Sequence, residues 1–358
     1  MATVVFAGGG TAGHIQPALA VAREWKKLHP SDTCLFIGTA KGLETTLIPE
    51  AGFELRIIPK VAIARRPSFS WLKIPFDLLS SIFSCRKILT DSELLIGFGG
   101  YVSAPAYLAA RSLGITIVIH EANAKPGWAN KVGAVLTPHL AVAHPVDKGK
   151  FSNALLAGLP LRSDVASAFE NAKKDWAAAR AEAKARLGVS PKDPFIFIMG
   201  GSQGSVAINT VIKECVEFFQ KNGFSVLHSV GRLNQLPASL GGYEAVSYVE
   251  QMADAYLAAD LIIGRSGAVT CSEFRALGRY ALFVPLPVGN GEQLVNATSL
   301  VGAGRARVID QKLFNAKYVK ENLANLIIES SKSPVSGSGE DLMAAEKIAA
   351  LAEFAIKK

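Results

Sequence analysis

Short apolar runs alternate along the chain with stretches of helical periodicity. TVVFA, CLFIG, LLIGFG and ITIVIH read as strands in the first half, with helical patterns at residues 16–28, after CLFIG, and at 104–113. These runs are apolar throughout instead of alternating, as in parallel strands covered on both faces. The rhythm pauses near Gly158, Leu159 and Pro160. A long helix rich in Ala, Lys, Arg and Glu is predicted next, ended by Gly188, Pro191 and Pro194. Then FIFIMGG, a helix over about 205–220, FSVLHSV, AVSYV, LIIGRSG and ALFVPLP repeat the pattern. Residues 331–339, SKSPVSGSG, read as a flexible surface stretch before a final amphipathic helix.

The second half answers the first as a loose repeat. FAGGGTAGH pairs with IMGGSQGS, and LLIGFGGYVSAP with LIIGRSGAVTCSE. Each is a strand running into a glycine- or serine-rich turn that opens a helix. The predicted fold class is therefore α/β, with two Rossmann-like domains facing a cleft. Residues 1–162 form the first domain and 163–339 the second, with 340–358 packing back on the first.

Composition narrows the class. The 358 residues are 49% hydrophobic and 19% charged, and the mean hydropathy of +0.26 fits covered parallel sheets. No run approaches the roughly 18 apolar residues of a spanning helix. The start passes from Met-Ala-Thr into a strand with no signal-like segment, which suggests a cytoplasmic protein. Four scattered cysteines, without a C-x-x-C pair, suit a reducing compartment and no zinc site. The net charge of +8 points to an anionic partner: nucleic acid, acidic lipid or a phosphorylated substrate.

Gly8, Gly10 and Gly13 satisfy G-x-G-x-x-G between a strand and a helix, which suits phosphate at a helix start. A nicotinamide enzyme also needs an acidic side chain at the end of the second strand, and CLFIG runs instead into Thr39 and Ala40. Asp32 lies before that strand and Glu44 well beyond it. The dinucleotide reading fails there. In the second half Glu273 falls in the second turn of a helix begun near Gly267, where a carboxylate can accept from two ribose hydroxyls.

Six collinear blocks carry a resemblance: GGGTAGH at 8–14, GGYVSAP at 99–105, HEAN at 120–123, GGSQGS at 200–205, RSGAVTCSE at 265–273 and EQLVNA at 292–297. Together they resemble the MurG family of bacterial GT-B glycosyltransferases across nearly the whole chain. The resemblance implies inverting transfer of N-acetylglucosamine from UDP-GlcNAc to the C4 hydroxyl of the muramyl sugar of lipid I, giving lipid II for peptidoglycan. The partners implied are UDP-GlcNAc, lipid I and an anionic membrane surface at the cytoplasmic face of the cell membrane, with no nucleic acid. No cofactor or metal is implied. Alternatives are another GT-B UDP-sugar transferase with a glycolipid or small-molecule acceptor, or a non-catalytic UDP-sugar sensor.

Residue by residue, the resemblance puts Ser202, Gln203 and Gly204 at the UDP diphosphate and the Val249 backbone at the uracil. Arg265, Ala268 and Thr270 fall at the nucleotide, Glu273 at the ribose, and Gln293 and Asn296 at the sugar. Thr11, Ala12, Gly13, Asn130 and Arg162 are further donor-binding positions. Gly8, Gly9, Gly10, Gly99, Gly100, Tyr101 and Asn123 match the acceptor side. His14 is the most economical general base, with Glu121 as the competing one. Helix dipoles, Ser202 and Arg265 would neutralise the leaving diphosphate.

Three positions depart from the family pattern: Ala122 after His-Glu, Leu159 in GLPLR and Glu292 before Gln293. Residues 61–89 interleave Trp71, Leu72, Ile74, Phe76, Leu79, Ile82 and Phe83 with Arg65, Arg66, Lys73, Arg86 and Lys87. Such a basic-rimmed apolar patch suits an anionic bilayer, with Trp128 as a further member.

Overall fold

The apolar runs become the central strands of two wholly parallel sheets. The computed structural model describes residues 1–61, 74–287 and 291–357, which divide into two units, 1–161 with 341–358, and 162–340. In the first unit the order is β1 (Thr3–Gly8), α1 (Ala12–Leu28), β2 (Thr33–Gly38), α2 (Glu44–Glu50), β3 (Glu54–Ile57), α3 (Ile74–Leu89), β4 (Leu94–Gly99), α4 (Ser103–Leu113), β5 (Thr116–Glu121), α5 (Trp128–Gly133), β6 (Leu140–Val142) and β7 (Leu155–Leu156). The sheet runs β3-β2-β1-β4-β5-β6-β7.

Every residue of β4 is buried, as an inner parallel strand requires. One face packs under α1 and the chain's last helix, Ala344–Ile356, whose Ile348, Ala349, Ala352 and Ala355 join Val4, Phe6 and Phe36 in a single core. Small alanines let that helix lie close against its neighbours. His29 of the α1 cap and Glu353 meet at 2.8 Å on its rim. The other face packs under α3 and α4.

The second unit contains α6 (Ser163–Ala172), α7 (Trp176–Arg186), β8 (Phe195–Met199), α8 (Val206–Lys213), α9 (Val216–Lys221), β9 (Ser225–Ser229), β10 (Tyr243–Val246), α10 (Met252–Ala258), β11 (Leu261–Gly264), α11 (Ala268–Ala276), β12 (Ala281–Phe283), α12 (Glu292–Asn296), α13 (Thr298–Gly302), β13 (Ala306–Val308) and α14 (Ala316–Lys332). Its sheet runs β10-β9-β8-β11-β12-β13.

In each sheet the winding direction reverses once, between β1 and β4 and between β8 and β11. Ligands of such sheets bind beyond the strand ends at that reversal. The four glycine-rich turns singled out in the sequence leave those four strands. Each unit thus carries two of them at its own switch point.

Several boundaries differ from the sequence reading. The long helix after residue 160 is two helices, because Asp175 breaks it and caps α7, accepting from Ala177 and Ala178 N–H at 2.9 Å. The helix expected over 205–220 breaks between α8 and α9, where Cys215 is buried. The strand expected from AVSYV lies earlier, at Tyr243–Val246. Of residues 331–339, Ser331 and Lys332 end α14, and the rest are irregular but held: Arg305 donates to the carbonyls of Pro334 at 2.7 Å and Ser336 at 2.8 Å, and Ser338 N–H donates to Arg275 O at 3.1 Å.

Candidate active site

In the first unit the turns after β1 and β4 back onto each other at a spacing only glycine permits. A Cβ on Gly100 would lie 2.4 Å from Gly9 O, and one on Gly10 would lie 2.6 Å from the Tyr101 ring. Both glycines also have positive φ, +84° and +90°. Gly8 and Gly99 are register partners across β1 and β4, next to a bulge at Ala7/Gly8. Thr11 is extended at the start of α1, and Ala12 and Gly13 form its first turn. A helix start presents N–H groups and the positive end of the dipole to an anion.

His14 sits in that first turn. Its Nδ1 lies 3.2 Å from Gly9 O and 3.3 Å from Thr11 Oγ1. A carbonyl only accepts, so the neutral ring carries its proton on Nδ1 and Nε2 keeps its lone pair. Burial lowers the pKa below the ordinary 6.5, against the opposing pull of Glu121, the Gly9 carbonyl and Glu44. The ring is therefore neutral at pH 7.

Glu121, at the end of β5, is 2% exposed. Its Oε1 accepts from Asn123 N–H at 2.9 Å and Asn123 Nδ2 at 3.1 Å, and its Oε2 from Gly127 N–H at 2.9 Å and Asn130 Nδ2 at 3.0 Å. These four hydrogen bonds tie down the loop between β5 and α5. Asn130 is buried in the first unit, accepting from Tyr107 OH at 2.8 Å and donating to His120 O at 3.1 Å.

Glu44, set aside in the sequence reading, is fully buried beneath both turns. It accepts from Gly10 N–H at 3.1 Å, Thr39 N–H at 3.0 Å, Thr39 Oγ1 at 3.1 Å and Tyr101 OH at 2.9 Å. Burial alone would push its carboxyl up, but its own backbone N–H, those of Thr39 and Gly10, and the Tyr101 hydroxyl hold it below the ordinary range.

In the second unit the turn after β8 carries Ser202, Gln203 and Gly204 to the start of α8, where Ser205 accepts from Ile208 N–H at 3.4 Å. Gly204 has φ +73°, and a Cβ there would lie 1.9 Å from Val230 O. Arg265 lies just beyond β11, but its guanidinium braces the protein. It donates to Val284 O at 2.8 Å, Pro285 O at 3.1 Å, Ser205 Oγ at 2.8 Å and Gln311 Oε1 at 2.7 Å. These bonds clamp three turns together. Val249 and Ala268 are buried, and Thr270 is half-buried in the first turn of α11. Gln293 Oε1 accepts from Leu286 N–H at 2.9 Å, and Asn296 Nδ2 donates to Ser266 O at 3.4 Å.

Glu273 is 2% exposed in the second turn of α11. Its Oε2 accepts from Tyr256 OH at 2.9 Å, whereas Oε1 is buried without a hydrogen bond and lies 3.9 Å from Arg162 Nε. Ser266 Oγ, in the turn that opens α11, is likewise buried and unbonded. Burial drives the Glu273 carboxyl up to about 7, although Arg162 and the Tyr256 hydroxyl oppose it. Arg162 itself is held bidentate by Asp164 at 2.9 and 3.0 Å. The structure thus brings Arg162 and Glu273 together from distant stretches of sequence, and adds Tyr256, which no motif marked.

Comparisons with known proteins agree across both units. Residues 4–140 match the model of the glycosyltransferase family 28 N-terminal domain, and residues 195–351 match that of the C-terminal domain. A protein of Corynebacterium glutamicum named UDP-N-acetylglucosamine–N-acetylmuramyl-(pentapeptide) pyrophosphoryl-undecaprenol N-acetylglucosamine transferase is 44% identical over 330 residues, 92% of this chain and 90% of that one. Its namesake in Streptomyces coelicolor is 42% identical over 333 residues, covering 91% and 89%. The crystal structure of Acinetobacter baumannii MurG superposes with a TM-score of 0.68 at 24% identity, covering 99% of this chain and 100% of that one. The fold is GT-B, the chain is a glycosyltransferase, and it belongs to glycosyltransferase family 28.

Proposed function

We propose that the chain transfers N-acetylglucosamine from UDP-GlcNAc to the C4 hydroxyl of the muramyl sugar of lipid I, forming lipid II with inversion. One observation carries the reading: the 44% identity to a relative named for this reaction extends over 92% of the chain. The site geometry supports it. The second unit offers UDP-GlcNAc the α8 start with Ser202, Gln203 and Gly204, and the open lone pairs of Glu273 Oε1 suit a ribose hydroxyl. The first unit offers the acceptor diphosphate the turns at Gly8–Gly10 and Gly99–Tyr101, with Asn123 nearby.

The acceptor hydroxyl attacks the anomeric carbon as the bond to the diphosphate breaks. His14 Nε2 takes the hydroxyl proton, because it is the unprotonated nitrogen of a neutral ring. Glu121, already accepting four hydrogen bonds, acts as a positioning group and not as the base. UDP leaves as an anion, stabilised by the helix dipoles. Arg265 contributes by fixing Ser205 and the neighbouring turns.

The enzyme works at the cytoplasmic face of the membrane, where its acceptor is anchored. Among the described residues no helix is long and apolar enough to cross a bilayer. Phe76, Leu79 and Phe83 line one face of α3 and are 74%, 52% and 63% exposed, while Ser81, Cys85 and Leu89 on its other face are buried. Arg86 and Lys87 follow on the same helix. Trp128 is also exposed, at 55%. Arg65, Arg66, Trp71, Leu72 and Lys73 lie outside the described residues.

The test is UDP release by the purified chain in vesicles containing lipid I. Release that needs both UDP-GlcNAc and lipid I supports the assignment. Turnover with a diacylglycerol acceptor and none with lipid I overturns it.

A further inference from the structure

We infer that Glu44 is the positioning residue for the acceptor side of the site, holding the turns after β1 and β4 in one geometry through Gly10 and Tyr101. The inference rests on the reading that these turns bind the acceptor diphosphate. Its basis is the completeness of the Glu44 cradle. The carboxylate has no exposed surface, and four protein donors converge on it, from Gly10, Thr39 and Tyr101. A buried anion is tolerated only when so many hydrogen bonds compensate its lost hydration.

Three glycines make room for the side chain. A Cβ would lie 1.8 Å from Glu44 Oε2 if built on Gly42, 2.5 Å from Glu44 Cγ on Gly38, and 3.2 Å from Glu44 Oε1 on Gly9. Gly38 ends β2 and Gly9 follows β1, so the carboxylate lies where the two strand ends and the β4 turn meet. Tyr101 completes the closure: its hydroxyl also lies 2.9 Å from Thr39 Oγ1, and Lys60 Nζ sits 5.1 Å from its ring centroid.

The geometry has a functional consequence. Gly10 N–H points inward to Glu44, so this amide does not serve an anion. Glu44 thereby sets where the Gly8–Gly10 turn stands relative to Tyr101. Gly10, Thr39 and Tyr101 all belong to the first unit, so loss of Glu44 should alter the acceptor side.

Glu44→Gln keeps the size but turns an amide NH2 toward N–H and O–H donors. In the full-length chain, initial rates with lipid I and with UDP-GlcNAc varied separately should show an acceptor KM raised about tenfold or more, as for a lost charged hydrogen bond. The UDP-GlcNAc KM and the melting temperature of the second unit should be unchanged. Gly42→Ala, which expels the carboxylate without replacing it, should give the same selective defect and serves if Glu44→Gln does not fold. Tyr101→Phe should add little in the Glu44→Gln background, since the two changes break one contact. An unchanged acceptor KM, or equal loss toward both substrates, overturns the inference. A wild-type chain inactive with lipid I overturns the proposed function instead, and the positioning role falls with it.

Discussion

Arg162 Nε lies 3.9 Å from Glu273 Oε1, an oxygen that is buried and makes no hydrogen bond, while Tyr256 OH holds the other oxygen at 2.9 Å. The pair is half-satisfied. A carboxylate with one oxygen anchored and one open suits a ligand hydroxyl that arrives later. At 2% exposure, Glu273 becomes reachable only after a neighbour shifts, and Arg162 is the neighbour at the open oxygen.

This arrangement fixes a pH dependence. Unfolded, Glu273 titrates near the ordinary 4.5; folded, burial raises it to about 7 despite Arg162. The folded chain therefore holds this proton more tightly, so the group's contribution to stability is fully present below 4.5 and is lost as pH rises through about 7. The loss is of order 3 kcal/mol. Chemical denaturation of the wild type between these limits should show it, and Glu273→Gln should remove that slope. Uridine, which carries no phosphate, should bind more tightly to the wild type as pH rises past 7. A flat uridine profile would disprove the ribose role.

His14→Ala should lower kcat about 10²- to 10⁴-fold, the usual contribution of a general base, and leave UDP-GlcNAc affinity unchanged. The acid limb of kcat/KM should lie below the ordinary imidazole value of 6.5, because burial lowers the His14 pKa. Glu121→Gln should act differently, replacing one acceptor by a donor among four donors. It should lower thermal stability together with rate. A His14→Ala variant that keeps its kcat, or a Glu121→Gln defect in rate alone, would favour Glu121 as the base.

Arg265→Lys should cost stability, because an ammonium cannot reach Val284 O, Ser205 Oγ and Gln311 Oε1 together. The expected loss is about 2 kcal/mol, as for breaking a buried charged hydrogen-bond set. UDP affinity should fall through the misplaced α8 start. Calorimetry and UDP titration of the variant check both. Weak UDP binding at unchanged melting temperature would instead mean direct contact with the nucleotide.

The architecture was legible because parallel strands buried on both faces leave uninterrupted apolar runs, as in LLIGFG, and each switch-point turn left its glycines in place. Short edge strands such as Leu155–Leu156 and Ala306–Val308 left no such trace. The motifs marked the turns, but not the side chains that brace them. Glu44 follows Gly42 in a helix-start context that looks like any solvated glutamate, and only Gly9, Gly38 and Gly42 converging in space reveal its cradle. Arg265 sits in a nucleotide motif, yet its partners come from turns beyond β8, β12 and β13, which periodicity does not bring together. Sequence signals thus located the turns, while the groups behind them emerged from packing.

The outward apolar face of α3 makes the last test independent of catalysis. Phe76 and Phe83 are 74% and 63% exposed, so replacing either by Ser removes little packing and should leave the melting temperature unchanged. If that face enters the bilayer boundary, each substitution should weaken binding to phosphatidylglycerol vesicles about tenfold, the scale of one aromatic side chain leaving an apolar environment. Turnover of lipid I in vesicles should fall in parallel, whereas turnover of a short-chain, water-soluble lipid I analogue should not. Added salt should weaken the remaining attraction, since Arg86 and Lys87 act through a screened surface potential. Vesicle co-sedimentation of the two variants and the wild type at two ionic strengths reads all of this. Equal binding by the three proteins would remove α3 from the membrane-facing surface.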